Sequence, residues 1–349
     1  MSAKLFDGKK ILVTGGTGSL GRVLVKRILN GEMGVPEKVL VFSRDEDKQH
    51  QMRLEYQKMS AATDEAIYKE REKTLGFIIG DVRSYESLAA AVKDVDLVIF
   101  ASALKQVPTC EYFPHEAIWT NTLAAQNIVR AVQEAANNVE IVIGISTDKA
   151  CKPVNVYGMT KALQERILTI ANLKVPDTKF ICTRYGNVLA SRGSIIPLFL
   201  KQIAEGRAIT ITSPEMTRFL LTIEQAVDVI FKAMQFCDPG EILIPKLPSA
   251  KVLDIASVLK GDLDLPIEMV GVRPGEKIHE ILVSEEEAFR TVDADDHFIV
   301  QPIVPELRLA KHLPKIEHEY SSANELVDIR RLQQILSDAG FVKRAVKSR

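Results

Sequence analysis

Three things are scarce in this 349-residue chain, and each scarcity removes a class of function. Cysteine is sparse and scattered. Cys110, Cys151, Cys182 and Cys237 form no CxxC pair, which argues against a disulfide framework or a metal knuckle and reads as four thiols in a reducing compartment. Excess charge is missing as well: 45 lysines and arginines stand against 46 aspartates and glutamates. No general field therefore draws in nucleic acid or an anionic membrane, and a polyanionic ligand must be met by local basic groups. Long apolar runs are absent; none approaches the ~20 residues a membrane span needs. The opening MSAKLFDGKK is too polar for a secretory signal, so the expectation is a cytoplasmic protein. The six histidines (50, 115, 279, 297, 312 and 318) show no ligand spacing. His297 with Asp293, Asp295 and Asp296 reads as a solvated acidic loop, and no metal is expected.

What is present is 46% apolar residues, ample for a sizeable core. Short β-branched runs at 10–14, 39–42, 77–80, 97–101, 139–145 and 179–183 alternate with helical patterns at 20–29, 46–59, 84–92, 114–136 and 156–173. Continuous apolar strands between helices imply a parallel sheet covered on both faces, an α/β doubly wound fold of Rossmann type. Residues 60–73 read as a surface segment without strong periodicity. After about residue 184 the segments shorten and proline becomes frequent (Pro197, Pro214, Pro239, Pro245, Pro248, Pro266, Pro274). The expected division is 1–184 for the first unit and 185–349 mainly for a smaller lobe, with some segments returning to the first. A final helix is predicted over 324–339.

The first strand runs into Gly15-Gly16-Thr17-Gly18-Ser19-Leu20-Gly21 and then a helix. Glycines at 15, 18 and 21 allow a tight turn, backbone N–H groups aimed at a pyrophosphate, and a helix packed closely on the sheet. In this strand–loop–helix setting Gly15, Thr17, Gly18, Ser19, Leu20 and Gly21 are expected to hold a dinucleotide. The second strand ends at Ser43 and Arg44, with Lys48 one turn on. Arginine and lysine suit a ribose 2′-phosphate, which favours NADP over NAD; the alternative is that Ser43 or Asp45 caps the next helix and Arg44 is solvated. Asp81 and Val82 follow the third strand, where Asp81 suits either the adenine amine or a helix cap. Ala101, Ser102 and Ala103 have side chains small enough for a cofactor to lie against the backbone.

The 139–145 strand is followed by Ser146-Thr147-Asp148-Lys149, and Tyr157 and Lys161 open the next helix. A spacing of four puts Tyr157 and Lys161 on one helix face. A nearby ammonium favours the phenolate, so Tyr157 could remove a hydroxyl proton while a hydride leaves the same carbon. Thr147 would orient the substrate oxygen. Asp148 and Lys149 share its strand end, suited either to acid–base work or to a structural ion pair.

These residues carry a family resemblance. TGGTGSLG, FSRDEDKQ, GDVRS, ASALKQVP, STDKACKPVNVYGMTK, TRYGNVLASRGSIIPLF, MTRF and GVRPGEK, spread over roughly residues 8–285, resemble the extended short-chain dehydrogenase/reductases. Within them the chain looks most like the UDP-N-acetylglucosamine 4,6-dehydratases of bacterial surface-sugar biosynthesis. The resemblance implies oxidation at C4, loss of water across C5 and C6, and return of the hydride to C6, with Lys149 as the C5 base and Asp148 as the acid. A lysine base must be neutral, so its pKa is expected to fall. Lys105, Asn187, Arg192, Arg218, Arg273 and Glu276 are expected around a UDP-sugar, the arginines as forks for its diphosphate. The resemblance also implies a homodimer or higher assembly through the helices near 114–136 and 156–173. The oligomer number and the C5 configuration of the product stay open. The competing readings are a UDP-hexose 4-epimerase and a non-catalytic NADP-sensing protein.

Overall fold

The computed structural model describes residues 4–61, 74–189 and 194–342. Arg192 and most of the 60–73 segment lie outside them. Six parallel strands form the centre: β1 (Lys10–Thr14), β2 (Lys38–Ser43), β3 (Leu75–Ile79), β4 (Leu97–Phe100), β5 (Ile141–Ile145) and β6 (Lys179–Thr183). They lie in the order β3-β2-β1-β4-β5-β6. The chain winds outward from β1 to β3, crosses back, and winds the other way from β4. That reversal leaves a crevice beyond the carboxyl ends of β1 and β4, where ligands of doubly wound sheets bind. β1, β4 and β5 are almost wholly buried runs of Ile, Leu, Val and Phe, as strands covered by helices on both faces must be.

The residues after 184 divide. β9 (Ile242–Pro245) joins β6 in parallel, and β14 (His297–Val300) and β13 (Thr291–Ala294) extend the same sheet antiparallel. The other short strands pair outside it: β7 (Ile209–Ile211) with β11 (Ile267–Met269), β8 (Thr217–Phe219) with β10 (Ser249–Lys251), and β12 (Ile281–Val283) with β15 (Tyr320–Ser321). A second, smaller core gathers Ile196, Phe199, Ile211, Ile255, Leu259, Leu332 and Leu336 from the helices Ile195–Ala204, Val252–Lys260 and Ile329–Asp338 and from β7. The final helix starts later than predicted because its approach is tied to β10: Ser249 N donates to Glu325 O, and Val327 N to Ser249 O, both at 2.9 Å. Asp328 then caps the helix, accepting from Arg331 N at 2.7 Å.

Two departures from the predicted helices bear on function. ALKQVP leads into a short helix, Val107–Tyr112, that was not foreseen. The predicted 114–136 helix is broken into Pro114–Ala117 and Ala124–Ala135 by a π-helical segment, Ile118–Leu123. π segments cluster at functional sites, and this one turns the fully buried Asn121 inward. Around it, Tyr112, Phe113, Trp119, Met159 and Leu163 leave large apolar surfaces exposed. Among the described residues no helix is long and apolar enough to cross a membrane.

Candidate active site

A cleft of about 860 Å³ opens at the crevice between the glycine loop and the second core. Its walls hold Gly15, Thr17, Gly18, Ser19, Leu20 and Gly21 from the loop after β1, Ser43, Arg44 and Lys48 after β2, Val82 after β3, and Ala101, Ser102, Ala103 and Lys105 after β4. Thr147, Lys149, Tyr157 and Lys161 line it after β5, Asn187 after β6, and Arg218, Arg273 and Glu276 line it from the smaller lobe. Residues far apart in sequence are thus gathered because each strand delivers its carboxyl end to one edge of one sheet. Two of the residues singled out from sequence, Asp81 and Asp148, are described but do not form its wall.

The glycine loop is a cradle that a side chain would fill. A Cβ on Gly21 would lie 2.5 Å from the Gly15 carbonyl oxygen and 2.5 Å from the Gly16 Cα. Both are backbone atoms, so the helix Ser19–Leu29 rests on the loop only because residue 21 has no side chain. Gly18 caps that helix without a side-chain hydrogen bond, so its first N–H groups are available to an anion. Thr14 Oγ1 accepts from Ala101 N and Ser102 N at 3.2 and 3.3 Å, tying the loop after β4 to β1.

After β2 the two sequence alternatives are both partly realised. Asp45 caps the helix Glu46–Ala61, accepting from Lys48 N at 3.0 Å and pairing with the Lys48 ammonium. Arg44 stays 58% exposed, with Nη1 3.7 Å from Asp81. Gln49, unforeseen, fixes Ser43 by donating to its carbonyl and its hydroxyl, each at 3.1 Å. Asp81 takes no place on the wall because Arg83 occupies it, donating from Nε at 2.8 Å, Nη2 at 2.6 Å and the backbone at 2.9 Å. Burial opposes the charge on Asp81, but Arg83 outweighs it and holds the pKa below the ordinary value.

At the end of β5, Thr147 caps a 3-10 turn, Asp148–Ala150, and Asn155 caps the helix Val156–Ala171, accepting from Gly158 N at 2.8 Å. A Cβ on Gly158 would fall 2.1 Å from the Lys149 carbonyl oxygen. The helix bearing Tyr157 therefore lies directly on the turn bearing Lys149. Tyr157 hydrogen-bonds the Thr147 hydroxyl, and burial pushes its pKa up to about 12 against the opposing charge of Lys149. The ammonium of Lys161, expected near Tyr157, is held by other groups. Lys161 Nζ donates to Ile145 O and Gln164 Oε1, both at 2.5 Å. Burial takes Lys161 itself down to about 8.

Lys149 is held differently from expectation. Its ammonium donates to Asp148 Oδ1 at 3.1 Å, Asn187 Oδ1 at 3.1 Å and Glu280 Oε1 at 3.2 Å, so all three protons are placed. Burial acts to neutralise it, but the negative charges of Asp148 and Glu280 win, and its pKa stands above the ordinary lysine value rather than below it. Asp148 is wholly buried behind Lys149 and Thr147. Oδ1 accepts from Thr147 at 2.8 Å, while Oδ2 has no partner among the described residues. Burial, reinforced by Glu280, raises the Asp148 pKa.

Some residues that shape the site gave no clear sequence signal. Glu280, 2% exposed, reaches the cleft from the segment before β12, and nothing in GEKIHEIL marks it. Asn121 accepts from Leu104 N at 2.8 Å and donates to Leu104 O at 2.9 Å and Thr160 Oγ1 at 3.0 Å. It thereby pins the loop before Lys105 to the Tyr157 helix; a polar residue on the inward stripe of an apolar helix was the available clue. Arg218 is less free than expected of a diphosphate fork. Its Nη1 donates to Thr217 O at 2.7 Å and Ile278 O at 3.2 Å, and its Nε lies 3.5 Å from Glu280. His297, Asp293 and Asp296 are paired internally, His297 to Asp296, Lys246 to Asp293 and Lys232 to Asp296. Among the described residues no cluster of ligands could hold a metal.

Residues 11–302 match the model of a family described as polysaccharide biosynthesis protein. A UDP-glucose 4-epimerase of Rickettsia bellii (strain OSU 85-389) is 39% identical over 99% of this chain and 100% of its own length. A UDP-N-acetylglucosamine 4,6-dehydratase (inverting) of Campylobacter jejuni subsp. jejuni serotype O:23/36 (strain 81-176) is 41% identical over 86% of this chain and 85% of its own. Among solved structures, Pen from Bacillus thuringiensis superposes with a TM-score of 0.82 at 32% identity, covering 96% of this chain and 99% of that one. DesIV, a dTDP-glucose 4,6-dehydratase from Streptomyces venezuelae solved with NAD and TYD bound, shares the fold with a TM-score of 0.65 at 19% identity, covering 77% and 86%.

Proposed function

The chain belongs to this family of polysaccharide biosynthesis proteins, and from that premise we propose that it is a nicotinamide-dependent UDP-N-acetylglucosamine 4,6-dehydratase. The reading rests on one observation: beside Tyr157, a lysine on the cleft wall has a buried carboxyl 3.1 Å behind it. A 4-epimerase needs a single redox site, whereas elimination of water needs in addition a group that takes a proton from C5 and one that gives a proton to the departing 6-hydroxyl.

The cradle at Gly15–Gly21 fits a dinucleotide, because its Cβ-free surface and open helix N-terminus suit a pyrophosphate. Once bound there, the nicotinamide supplies the acceptor and then the donor of one hydride. Tyr157 takes the C4 hydroxyl proton, and the positive charge of Lys149 favours the phenolate this requires. A ketone at C4 then makes the C5 proton acidic. Lys149 faces the cleft and can accept that proton only after losing one of its own. Asp148, with its raised pKa, is suited to receive it. Asp148 reaches the cleft only through Thr147 and Lys149, so its proton arrives at the 6-hydroxyl by way of one of them. Atoms balance as UDP-sugar giving a 4-keto-6-deoxy product and one water, with the cofactor regenerated.

Incubation with UDP-N-acetylglucosamine is expected to give a product lighter by one water by mass spectrometry, and its proton NMR spectrum reads the C5 configuration. An epimer of unchanged mass would replace this reading with the 4-epimerase one, which the full-length similarity to the Rickettsia bellii protein favours.

For the cofactor we favour NADP, on Arg44 and Lys48 at the wall after β2. DesIV was solved with NAD, so the choice is tested directly. Arg44→Ala is expected to weaken NADP binding by about tenfold or more, the loss of one charge-assisted contact, and to leave NAD binding unchanged. Equal weakening of both, measured by fluorescence titration, would remove the preference.

A further inference from the structure

Among the described residues, Glu280 is the carboxylate that the smaller lobe brings to Lys149. Its Oε1 lies 3.2 Å from Lys149 Nζ and 3.5 Å from Arg218 Nε. Its backbone is held on both sides by Ser322: Glu280 N donates to Ser322 Oγ at 2.9 Å, and Ser322 N to Glu280 O at 2.8 Å. Its place is therefore set by the lobe rather than by the pair it touches. The side chain is 3% exposed, and Oε2 has no partner among the described residues. A buried carboxylate so placed is costly unless its charge is used.

We infer that Glu280 is a positioning residue that holds Lys149 as an ammonium beside Tyr157 while C4 is oxidised. The inference rests on the dehydratase reading and deepens it. The two halves make opposite demands on one side chain. Oxidation gains from a cation near Tyr157, and the cation acting on Tyr157 is Lys149. Elimination needs the same amine neutral. Asp148 contributes most to holding that charge, but burial raises its own pKa. Glu280 stays ionised at the same distance, because Lys149, Arg218 and Lys277 together outweigh its burial. The charged and titrating groups around Lys149 are thus Asp148 on its own turn, Tyr157 on the following helix, and Glu280, Arg218 and Lys277 from the lobe. Glu280 is the carboxylate among them that does not readily accept the proton.

The test is Glu280→Gln, which keeps the shape and removes the charge. An opposite charge within about 4–6 Å moves a pKa by about 1–3 units, and only the neutral amine reacts with acylating reagents. In the full-length protein without substrate, competitive acylation of Lys149 read by peptide mass spectrometry should start at a pH lower by about one unit or more in Glu280→Gln. Glu280→Asp should retain most of the wild-type profile. With UDP-N-acetylglucosamine, the pH at which C5 exchange begins should move down by the same amount. A labelling profile unmoved by Glu280→Gln overturns the inference, as does one shifted equally by Glu280→Asp. The labelling arm needs no turnover, so an absence of dehydratase activity would defeat the functional reading without deciding the role of Glu280.

Discussion

Replacing Lys149 by alanine is expected to slow C5 proton exchange and product formation by about 10²–10⁴-fold, the range for loss of a general acid–base group, while the dinucleotide still binds. The dinucleotide cradle is built after β1, β2 and β4, and Lys149 contributes none of its backbone contacts. The alanine variant also strips Asp148 and Glu280 of their shared cation, and breaking a buried pair from one side costs about 3–5 kcal/mol of stability. A low rate in that variant does not by itself separate lost chemistry from lost folding, and Lys149→Arg separates the two cases. Arginine keeps the positive charge that both carboxylates need and that favours the Tyr157 phenolate, but it does not give up its proton. Lys149→Arg should remain folded, should still reduce bound cofactor on adding UDP-sugar, and should fail to exchange the C5 proton into deuterated water. Exchange at the wild-type rate in either variant would remove Lys149 from the elimination step.

The parts of the molecule that were legible in the sequence are those that depend on near neighbours in the chain. β1 and β6 fall where their β-branched runs predict, because a buried parallel strand must be continuously apolar. β5 begins two residues later than its apolar run, because Thr178 Oγ1 caps the Val139 carbonyl and Glu140 N is drawn to Asp96 O before the ladder starts. The candidate residues of the glycine loop and most of those at the strand ends line the cleft, since the topology of a doubly wound sheet carries them there. Two things were not legible. Glu280 lies 131 positions from Lys149 and meets it only through the packing of the smaller lobe. The charge on Lys149 was also misjudged, because its pKa reflects two carboxylates and a buried arginine that periodicity cannot bring together. Asp81 meets a partner nearer in sequence: Arg83, two residues on, donates to it.

Tyr157→Phe should differ from Lys149→Arg in a way that tests the order of events. Removing the phenol takes away the group that accepts the C4 hydroxyl proton, so hydride transfer should fall by about 10²–10⁴-fold. The fold should tolerate the change: the ring still fills its site, and Thr147 keeps its bond to Asp148. Without a C4 ketone the C5 proton is no longer acidic, so exchange must fall in step with oxidation even though Lys149, Asp148 and Glu280 are untouched. Lys149→Arg is thus expected to give reduced cofactor without exchange, and Tyr157→Phe to give neither. Stopped-flow absorbance at the reduced nicotinamide band and deuterium incorporation at C5, measured on the same two variants, read the pair of outcomes. Exchange persisting in Tyr157→Phe would mean that C5 is activated without oxidation. The coupling of the redox tyrosine to the acid–base lysine would then have to be abandoned.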